Sequence, residues 1–371
     1  MTLLSTLILA ALLTQARPAP PPPSPEQEKK TVPQAQGTKP TPGGQPSKSP
    51  VKGTATDALA LQVALDRAGF SPGVIDGKAG SATKKALAAY TKQHGSEPQL
   101  GEPTTSYQVT EQDAAGPFEP QIPRDLPDQA KLPALAYKSV VEAVAERFHS
   151  TPEFLQKLNP GAKFAAGETI VVPNVEPMQV PAATEAKAEQ GKAEQGKAGQ
   201  AKTDTKQPQG SKTPPAKPEG ARGTSGRQDQ TSATGDVVVT VSKSTSALTV
   251  TDPGGKVLMF APVTTGSSRD PLPIGEWKVN GVTVNPPFRY NPDLFWDADP
   301  SHTKALIKPG PNNPVGLVWI DLSKEHYGIH GTPEPSTVGR TQSHGCVRLT
   351  NWDALKLASM VKPGTKVVFT D

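Results

Sequence analysis

Apolar residues follow regular patterns in three stretches of the chain, at residues 55–97, 133–175 and 236–371. Residues 17–54 and 176–235 are instead rich in Pro, Gly, Lys, Gln and Thr. Such sequence cannot bury enough apolar surface to offset the conformational entropy that is lost on ordering. We therefore expect three small folded units joined by disordered linkers, with residues 98–132 as an irregular linker between the first two.

The first stretch has a helical pattern that one turn interrupts. The segment ALALQVALDRAGF has helical apolar spacing up to Gly69, the turn SPGVIDGKAG follows, and ATKKALAAY begins a second helix. These segments resemble the peptidoglycan-binding-like domain, a small module of three helices. The resemblance implies an all-α unit at residues 55–97 that binds wall sugars or stem peptides. A helical hairpin without a ligand is the alternative.

The second stretch predicts two helices and a closing strand. SVVEAVAERF has one apolar face, Thr151 followed by Pro152 is typical of a helix start, and ETIVVP reads as a strand. With an entering strand near Leu135, residues 133–175 would form a βααβ unit. The segments ERFHSTPEFLQKLNPG and AGETIVVP resemble a LysM domain. That family's Gly-Asp-Thr-Leu loop is replaced here by KSVV, so glycan binding and a structural remnant both stay open.

The third stretch changes to a β pattern. VVVTV, ALTVTD, KVLMFAPVTTG, VGLVWIDL and TKVVFTD are alternating or β-branched runs, and turn residues separate them. One helix is predicted from Asn351 to Met360. Residues 236–371 are therefore expected to form a mostly antiparallel β sandwich with one helix.

The N-terminus has the pattern of an export signal. An apolar run from Leu3 to Leu13 is too short to span a bilayer and is followed by the small-residue sequence Thr14-Gln15-Ala16. We expect residues 1–16 to be a signal peptide and the mature protein to be in the periplasm or the cell wall. A misassigned start or a buried segment is the alternative, since the signal's first residues hold no Lys or Arg.

Charge argues against a nucleic-acid partner. The net charge of the 371 residues is +4, and residues 236–371 hold 13 Lys and Arg against 12 Asp and Glu. Nucleic-acid binding needs basic residues clustered on a folded face. The composition therefore favours another class of partner.

The sequence has one cysteine, Cys346, which in an exported chain cannot form an internal disulfide. His344 precedes it by two residues and His330 by sixteen. A catalytic thiol needs a base beside it, and histidine is the usual one. Three other interpretations remain: a buried inert thiol, a zinc site of the two histidines and the thiol, or a purely structural role for His344.

The segments YGIHGTP and SHGCVRL resemble the signature of the L,D-transpeptidase catalytic domain, the YkuD family. TTGSSRDPLPIGEWKV and KPGPNNPVGLVWIDLS add to the resemblance, which covers residues 236–371. It implies that Cys346 is the nucleophile and that His330 is its base, with the Gly331 carbonyl orienting the ring. His344 is a fourth catalytic candidate.

The same resemblance assigns substrate-binding roles to Ser343, Gly345 and Arg348. Backbone N–H groups around Gly345 and Cys346 would form an oxyanion hole. Arg348 would hold a substrate carboxylate through its planar guanidinium, unless it forms a structural ion pair. The segment RYNPDLFWDADPSHTK and the loop PGPNNPVG are candidate lids.

The activity implied is acyl transfer on peptidoglycan without a metal or cofactor. Cys346 would form a thioester with a tetrapeptide stem, release D-alanine, and pass the acyl group to an amine. The products would be 3→3 cross-links or a protein attached to the wall. The alternatives are a carboxypeptidase or hydrolase that uses the same thiol, and a wall-anchoring protein without activity.

Overall fold

The computed structural model describes residues 55–180 and 236–371. The predicted signal peptide at 1–16, the linker at 17–54 and residues 181–235 of the second linker lie outside the described residues. Over the two described ranges, no helix has both the length and the apolar character that a membrane span requires.

Two helices form the first stretch. Helix α1 spans Ala55–Arg67 and α2 spans Ser81–His94. The turn between them is fastened by the buried side chain of Gln62, which donates to Asp76 Oδ1 at 3.0 Å and accepts from the Gly77 N–H at 2.8 Å. The peptidoglycan-binding-like resemblance implies three helices, and the described part of this stretch contains two.

A two-stranded sheet frames the second stretch, and it begins further upstream than we expected. Strand β1 (Thr104–Gln108) pairs antiparallel with β2 (Thr169–Pro173). The prediction of an entering strand near Leu135 is wrong, because Leu135 is buried in a loop where its N–H donates to Pro309 O at 3.0 Å. The β1 side chains are exposed or half-buried, so they lack the apolar alternation that marks a strand.

Four helices lie between these strands: α3 (Glu111–Ala115), α4 (Leu126–Gln129), α5 (Val140–Arg147) and α6 (Pro152–Leu158). The first two lie in the region 98–132, which we expected to be irregular. The predicted helix start at Thr151 and Pro152 is confirmed, since the Thr151 hydroxyl accepts the Phe154 N–H at 3.2 Å.

The third stretch is built on one eight-stranded mixed sheet, in the order β11-β10-β9-β6-β12-β3-β4-β5. These strands are β3 (Val238–Ser242), β4 (Ala247–Thr251), β5 (Val257–Pro262), β6 (Gly275–Val284), β9 (Val318–Leu322), β10 (Gly328–His330), β11 (Val347–Arg348) and β12 (Lys366–Thr370). A separate hairpin comprises β7 (Phe288–Tyr290) and β8 (Ala305–Ile307). The predicted helix, α7 (Asn351–Met360), is confirmed; the Thr350 hydroxyl caps it by accepting the Asp353 N–H at 3.2 Å.

The mostly-β class with one helix is confirmed, but a single curled sheet replaces the expected sandwich of two. The ten-residue strand β6 pairs with β12 and also with β9, with a bulge between Val279 and Gly281. Bulges increase local twist. Apolar residues from both ends of the strand order, such as Met259 of β5 and Val347 of β11, meet α7 residues such as Leu357 in one core.

The upstream stretches pack directly against this sheet and its helix. Backbone bonds join Phe260 of β5 to the segment after α1: its N–H donates to Gly69 O at 2.9 Å, and its carbonyl accepts the Ser71 N–H at 2.8 Å. The His149 ring, just after α5, stacks on Trp352 of α7 with ring centroids 5.2 Å apart. Residues 55–180 and 236–371 consequently belong to one compact unit.

Candidate active site

Two short parallel strands bring the predicted site residues together. In the β10–β11 pair, Ile329 lies opposite Val347 and His330 lies opposite Arg348. Because side chains alternate along extended backbone, His330 and Arg348 share one face. Cys346, two residues before Arg348, lies in the bend that leads into β11. The Arg348 charge acts on both the histidine and the thiol.

The environment of His330 keeps its ring neutral. The ring is buried and stacks on Trp319, with centroids 5.6 Å apart. Its Nδ1 lies 2.7 Å from the Gly331 carbonyl, which can only accept, so Nδ1 carries the proton and Nε2 is left with a lone pair. Burial, with the Arg348 charge second, lowers the pKa of His330 to about 3, although the carbonyl opposes this shift.

Cys346 is held as a neutral thiol. Its side chain is half-buried, and Sγ lies 3.8 Å from the His326 carbonyl. Burial raises the pKa of Cys346, against a backbone hydrogen bond from Gly328 and the charge of Arg348, which both favour the thiolate. With both groups neutral, the thiol proton must move to a base when the sulfur attacks.

Hydrogen bonds and a glycine conformation define the turn before the thiol. The Ser343 hydroxyl donates to the Cys346 carbonyl at 2.6 Å, and the Ser343 N–H donates to Thr265 O at 3.0 Å. Gly345 has φ +111°, and a Cβ there would lie 2.9 Å from the Tyr327 ring, so the position requires glycine. In the described part of the chain, the N–H groups of Gly345 and Cys346 donate to no other group, and both can serve an oxyanion.

Arg348 is buried enough to lower its pKa, which the charges of Cys346 and Glu334 partly oppose. Its backbone pairs with Thr264, at 2.9 and 3.0 Å. Among the described residues no salt bridge within 4.0 Å includes its guanidinium, and Glu334 acts on it only through its charge. The planar fork remains available to a carboxylate.

His344 has a different environment from His330. Its Nε2 lies 2.8 Å from Asp297 Oδ1 in the segment between β7 and β8. The rings of Phe295 and Trp296 lie 5.1 and 5.7 Å from it. Trp296 is fixed in turn by a bond from its Nε1 to Asp270 Oδ2 at 2.8 Å. The β7–β8 segment therefore covers His344, two residues before the thiol, as the sequence predicts for a lid.

The second predicted lid, the loop at residues 309–316, contacts the upstream stretch. The Asn312 N–H donates to Leu135 O at 3.0 Å, and its side chain donates to Ala136 O at 2.9 Å. Asn351 of α7 donates to Pro311 O at 3.2 Å. This loop is thus a junction between the two parts of the molecule.

Sequence reasoning missed two residues of the site. The Tyr327 ring packs against Gly345, and its pKa is raised by burial first and by the Cys346 charge second. Its position in YGIHGT was the available signal. Asp297, which lies 47 residues from His344, has no local signal at all.

The predicted zinc alternative has no support from the geometry. Across residues 55–180 and 236–371, no group of three or more His, Cys, Asp or Glu side chains is arranged to hold a metal ion. His330 already donates Nδ1–H to Gly331, and His344 is occupied by Asp297.

Comparison with known proteins points to one family. The family model of the L,D-transpeptidase catalytic domain, YkuD, matches residues 236–369. The Bacillus subtilis protein YqjB, named as an L,D-transpeptidase, is 34% identical over 143 residues, which cover 37% of this chain and 73% of YqjB. Bacillus licheniformis YkuD, named likewise, is 52% identical over 63 residues, 17% of this chain and 38% of that protein.

The chain therefore spans less than two-fifths of the YkuD relative that it matches. A solved L,D-transpeptidase from Mycobacterium smegmatis aligns at 19% identity and a TM-score of 0.30, over 37% of this chain and 59% of that one. Membership of the L,D-transpeptidase family is supported by the family model and by YqjB, and not by this structural alignment.

Proposed function

Since the chain belongs to the L,D-transpeptidase (YkuD) family, we propose that it transfers acyl groups between peptidoglycan stem peptides. Cys346 is the nucleophile and His330 the base. The observation that carries this proposal is the β10–β11 register, which sets His330 opposite Arg348. The Arg348 charge acts on both His330 and Cys346, while the Gly331 carbonyl holds the His330 proton on Nδ1.

In the first step, the Cys346 sulfur forms a bond to the stem carbonyl while its proton passes to His330 Nε2. The N–H groups of Gly345 and Cys346 bind the oxyanion of the tetrahedral intermediate. The C–N bond then breaks, and the same proton passes from His330 to the leaving amine of D-alanine. The enzyme is left as a thioester at Cys346.

In the second step, the side-chain amine of another stem attacks the thioester. A C–N bond forms, the C–S bond breaks, and the thiolate recovers a proton from the amine by way of His330. Arg348 binds a carboxylate of the stem, and the β7–β8 segment covers the site and limits the access of water. The product is a 3→3 cross-link.

Two further parts of the proposal concern the setting. The protein is exported, with residues 1–16 as its signal peptide, and works in the periplasm or the cell wall. The stretches at 55–97 and 133–175 contact peptidoglycan while the third carries out the chemistry. A protein that bears an accessible amine is a second possible acceptor.

The first test is the intact mass of the full chain after incubation with a carbapenem, whose strained amide an activated thiol opens. We expect one adduct on the wild type, none on Cys346→Ala, and slow labelling of His330→Ala. No adduct on a folded wild type would overturn the proposal. Retention of Cys346→Ala on insoluble peptidoglycan would then favour an anchoring protein.

The second test separates transfer from hydrolysis. The enzyme is incubated with a disaccharide tetrapeptide, and released D-alanine and dimeric stems are quantified. We expect both products in parallel. Release of D-alanine without dimers would instead establish a carboxypeptidase that uses the same thioester.

A further inference from the structure

A buried carboxyl group from the upstream stretch reaches the helix that follows the catalytic strand. Glu146 of α5 accepts a hydrogen bond from Asn351 Nδ2 of α7 at 2.7 Å. Both residues are buried, with exposed fractions of 7% and 0%. A carboxyl group this far from solvent is stabilised only by such specific bonds, and these residues are 205 positions apart in the sequence.

The bonds of Asn351 fix its amide in one orientation. Its Oδ1 accepts the Leu317 N–H at 3.0 Å, so its Nδ2 must face acceptors. Those acceptors are the Pro311 carbonyl at 3.2 Å and the Glu146 carboxyl group. Glu146 supplies the shorter of the two bonds, and without it the amide would be free to tilt about the longer one.

The oriented amide lies directly against the residue that holds the base. A Cβ on Gly331 would overlap Asn351 Oδ1, which means that the amide is packed on the Gly331 backbone. The Gly331 carbonyl accepts the Nδ1–H of His330 at 2.7 Å. An uninterrupted series of contacts therefore links Glu146, through Asn351 and Gly331, to the histidine.

Neighbouring contacts hold α5 in place for this role. The Asn312 side chain donates to Glu142 Oε2, one turn before Glu146, at 3.2 Å. After α5, His149 stacks on Trp352 and its Nδ1 lies 3.0 Å from Asp66 Oδ2 of α1. The helix is thus attached on both sides, and the reach of the Glu146 side chain is fixed.

We infer that Glu146 is a positioning residue for the reaction: through Asn351 and Gly331 it sets the orientation of His330, so that the stretch upstream of the catalytic domain completes the active site. This inference rests on the proposed function, because it assumes that His330 is the base. It gives residues 133–175 a role that does not depend on glycan binding.

The positioning role of Glu146 depends on the length of its side chain and not on its charge. Burial raises the pKa of Glu146 to about 7, while hydrogen bonding by Tyr137 and Asn351, and the nearby His149, favour the charged form and Glu142 opposes it. An acceptor oxygen is present in either protonation state. A glutamine at this position would also present one, whereas an aspartate would be one methylene too short to reach Asn351.

The test compares the full-length wild type with Glu146→Gln, Glu146→Asp and the control Glu153→Asp, an exposed glutamate of α6. The first-order rate constant of carbapenem acylation is measured at saturating drug, together with the half-saturating concentration. We expect Glu146→Asp to slow the acylation step at least tenfold with little change in half-saturation. Glu146→Gln and Glu153→Asp should stay within about threefold of the wild type.

A spectroscopic signal complements the kinetics. In the wild type, the His330 Nδ1–H bonded to Gly331 should give a slowly exchanging imidazole resonance in ¹⁵N-edited spectra. That resonance should persist in Glu146→Gln and exchange rapidly in Glu146→Asp, provided that thermal unfolding shows both variants to be folded. This resonance can be measured even if the wild type forms no adduct, so failure of the proposed function can be distinguished from failure of this inference.

Three outcomes would overturn the inference. The first is acylation by Glu146→Asp at the wild-type rate. The second is a loss in Glu146→Gln as large as in Glu146→Asp, which would assign the effect to charge. The third is an unchanged His330 resonance in Glu146→Asp, which applies also when acylation cannot be measured.

Discussion

The two histidines near Cys346 differ in what holds them. His330 is buried in a strand, and its proton is bonded to the backbone of the next residue. His344 keeps 27% of its side chain exposed and is held by Asp297 of an overlying segment. A ring fixed by its own strand keeps its orientation through a catalytic cycle, whereas a ring held by a lid can be released. The difference supports the proposed base role for His330 and a contact with the β7–β8 segment for His344, although both belong to the same signature.

The largest expected effect comes from exchanging each histidine for alanine. His330→Ala should lower the acylation rate constant by about 10²–10⁴-fold, the usual contribution of a general base. His344→Ala should lower it by less than about tenfold. Both rate constants are obtained from intact-mass time courses with a carbapenem, and thermal unfolding checks the fold. Equal losses in the two variants would remove the distinction between them.

The next effect concerns Arg348, whose charge reaches His330 and Cys346. Arg348→Gln removes a cation that lowers both pKa values, so the pKa of the thiol and the pKa of the base should both rise. Loss of a charge-assisted bond to a stem carboxylate, worth about 1.5–3 kcal/mol, should lower kcat/KM for a tetrapeptide about 10- to 100-fold. The pH dependence of iodoacetamide labelling reports the thiol.

Arg348→Lys is the matched control for that prediction, because it keeps the charge and loses the planar fork. The thiol of this variant should titrate close to the wild type, while tetrapeptide turnover should remain impaired. If the glutamine variant were to leave the thiol titration unchanged, the electrostatic link between the two strands would be refuted.

A smaller effect is expected at the lid. Asp297→Asn weakens the contact with His344 and should raise KM for a tetrapeptide by up to about fivefold, since a partly exposed pair contributes at most about 1 kcal/mol. Acylation by a small carbapenem should change little. Asp293→Asn is the control on the same segment, since within residues 55–180 and 236–371 the Asp293 carboxylate pairs only with the exposed Lys304, at 3.6 Å. An equal change in both variants would contradict a specific role for the contact between Asp297 and His344.

Local sequence pattern predicted the parts of the fold that local forces determine. Strands such as VVTVS, which alternates between half-buried and buried residues, and helix α7 were recognised because their pattern follows the secondary-structure period. Strand β1 was missed because its exposed side chains carry no such pattern, and its pairing with β2 decides its conformation.

The candidate site divides in the same way. Cys346, His330 and their neighbours stand within two short motifs, so sequence could nominate them. Other contacts of the site join distant positions. Asp297 binds His344 from 47 residues away, and Glu146 binds Asn351 from 205 residues away. No local rule links such positions, because the contact exists only once the β7–β8 segment and α5 have packed on the sheet.

The smallest predicted effect is the absence of a pH dependence. The reactive form of the site holds neutral His330 and protonated Cys346. His330 is neutral above its lowered pKa of about 3, and Cys346 stays protonated up to a pKa above its ordinary value. The reactive form therefore dominates throughout pH 5–8, and the acylation rate constant, measured at saturating carbapenem, should vary by less than about twofold.

A base with the ordinary histidine pKa near 6.5 would make the rate about thirtyfold lower at pH 5 than at pH 8. Attack by a thiolate without a base would make it rise tenfold per pH unit. Either slope would show that the buried neutral pair at β10 and β11 is not the form that reacts.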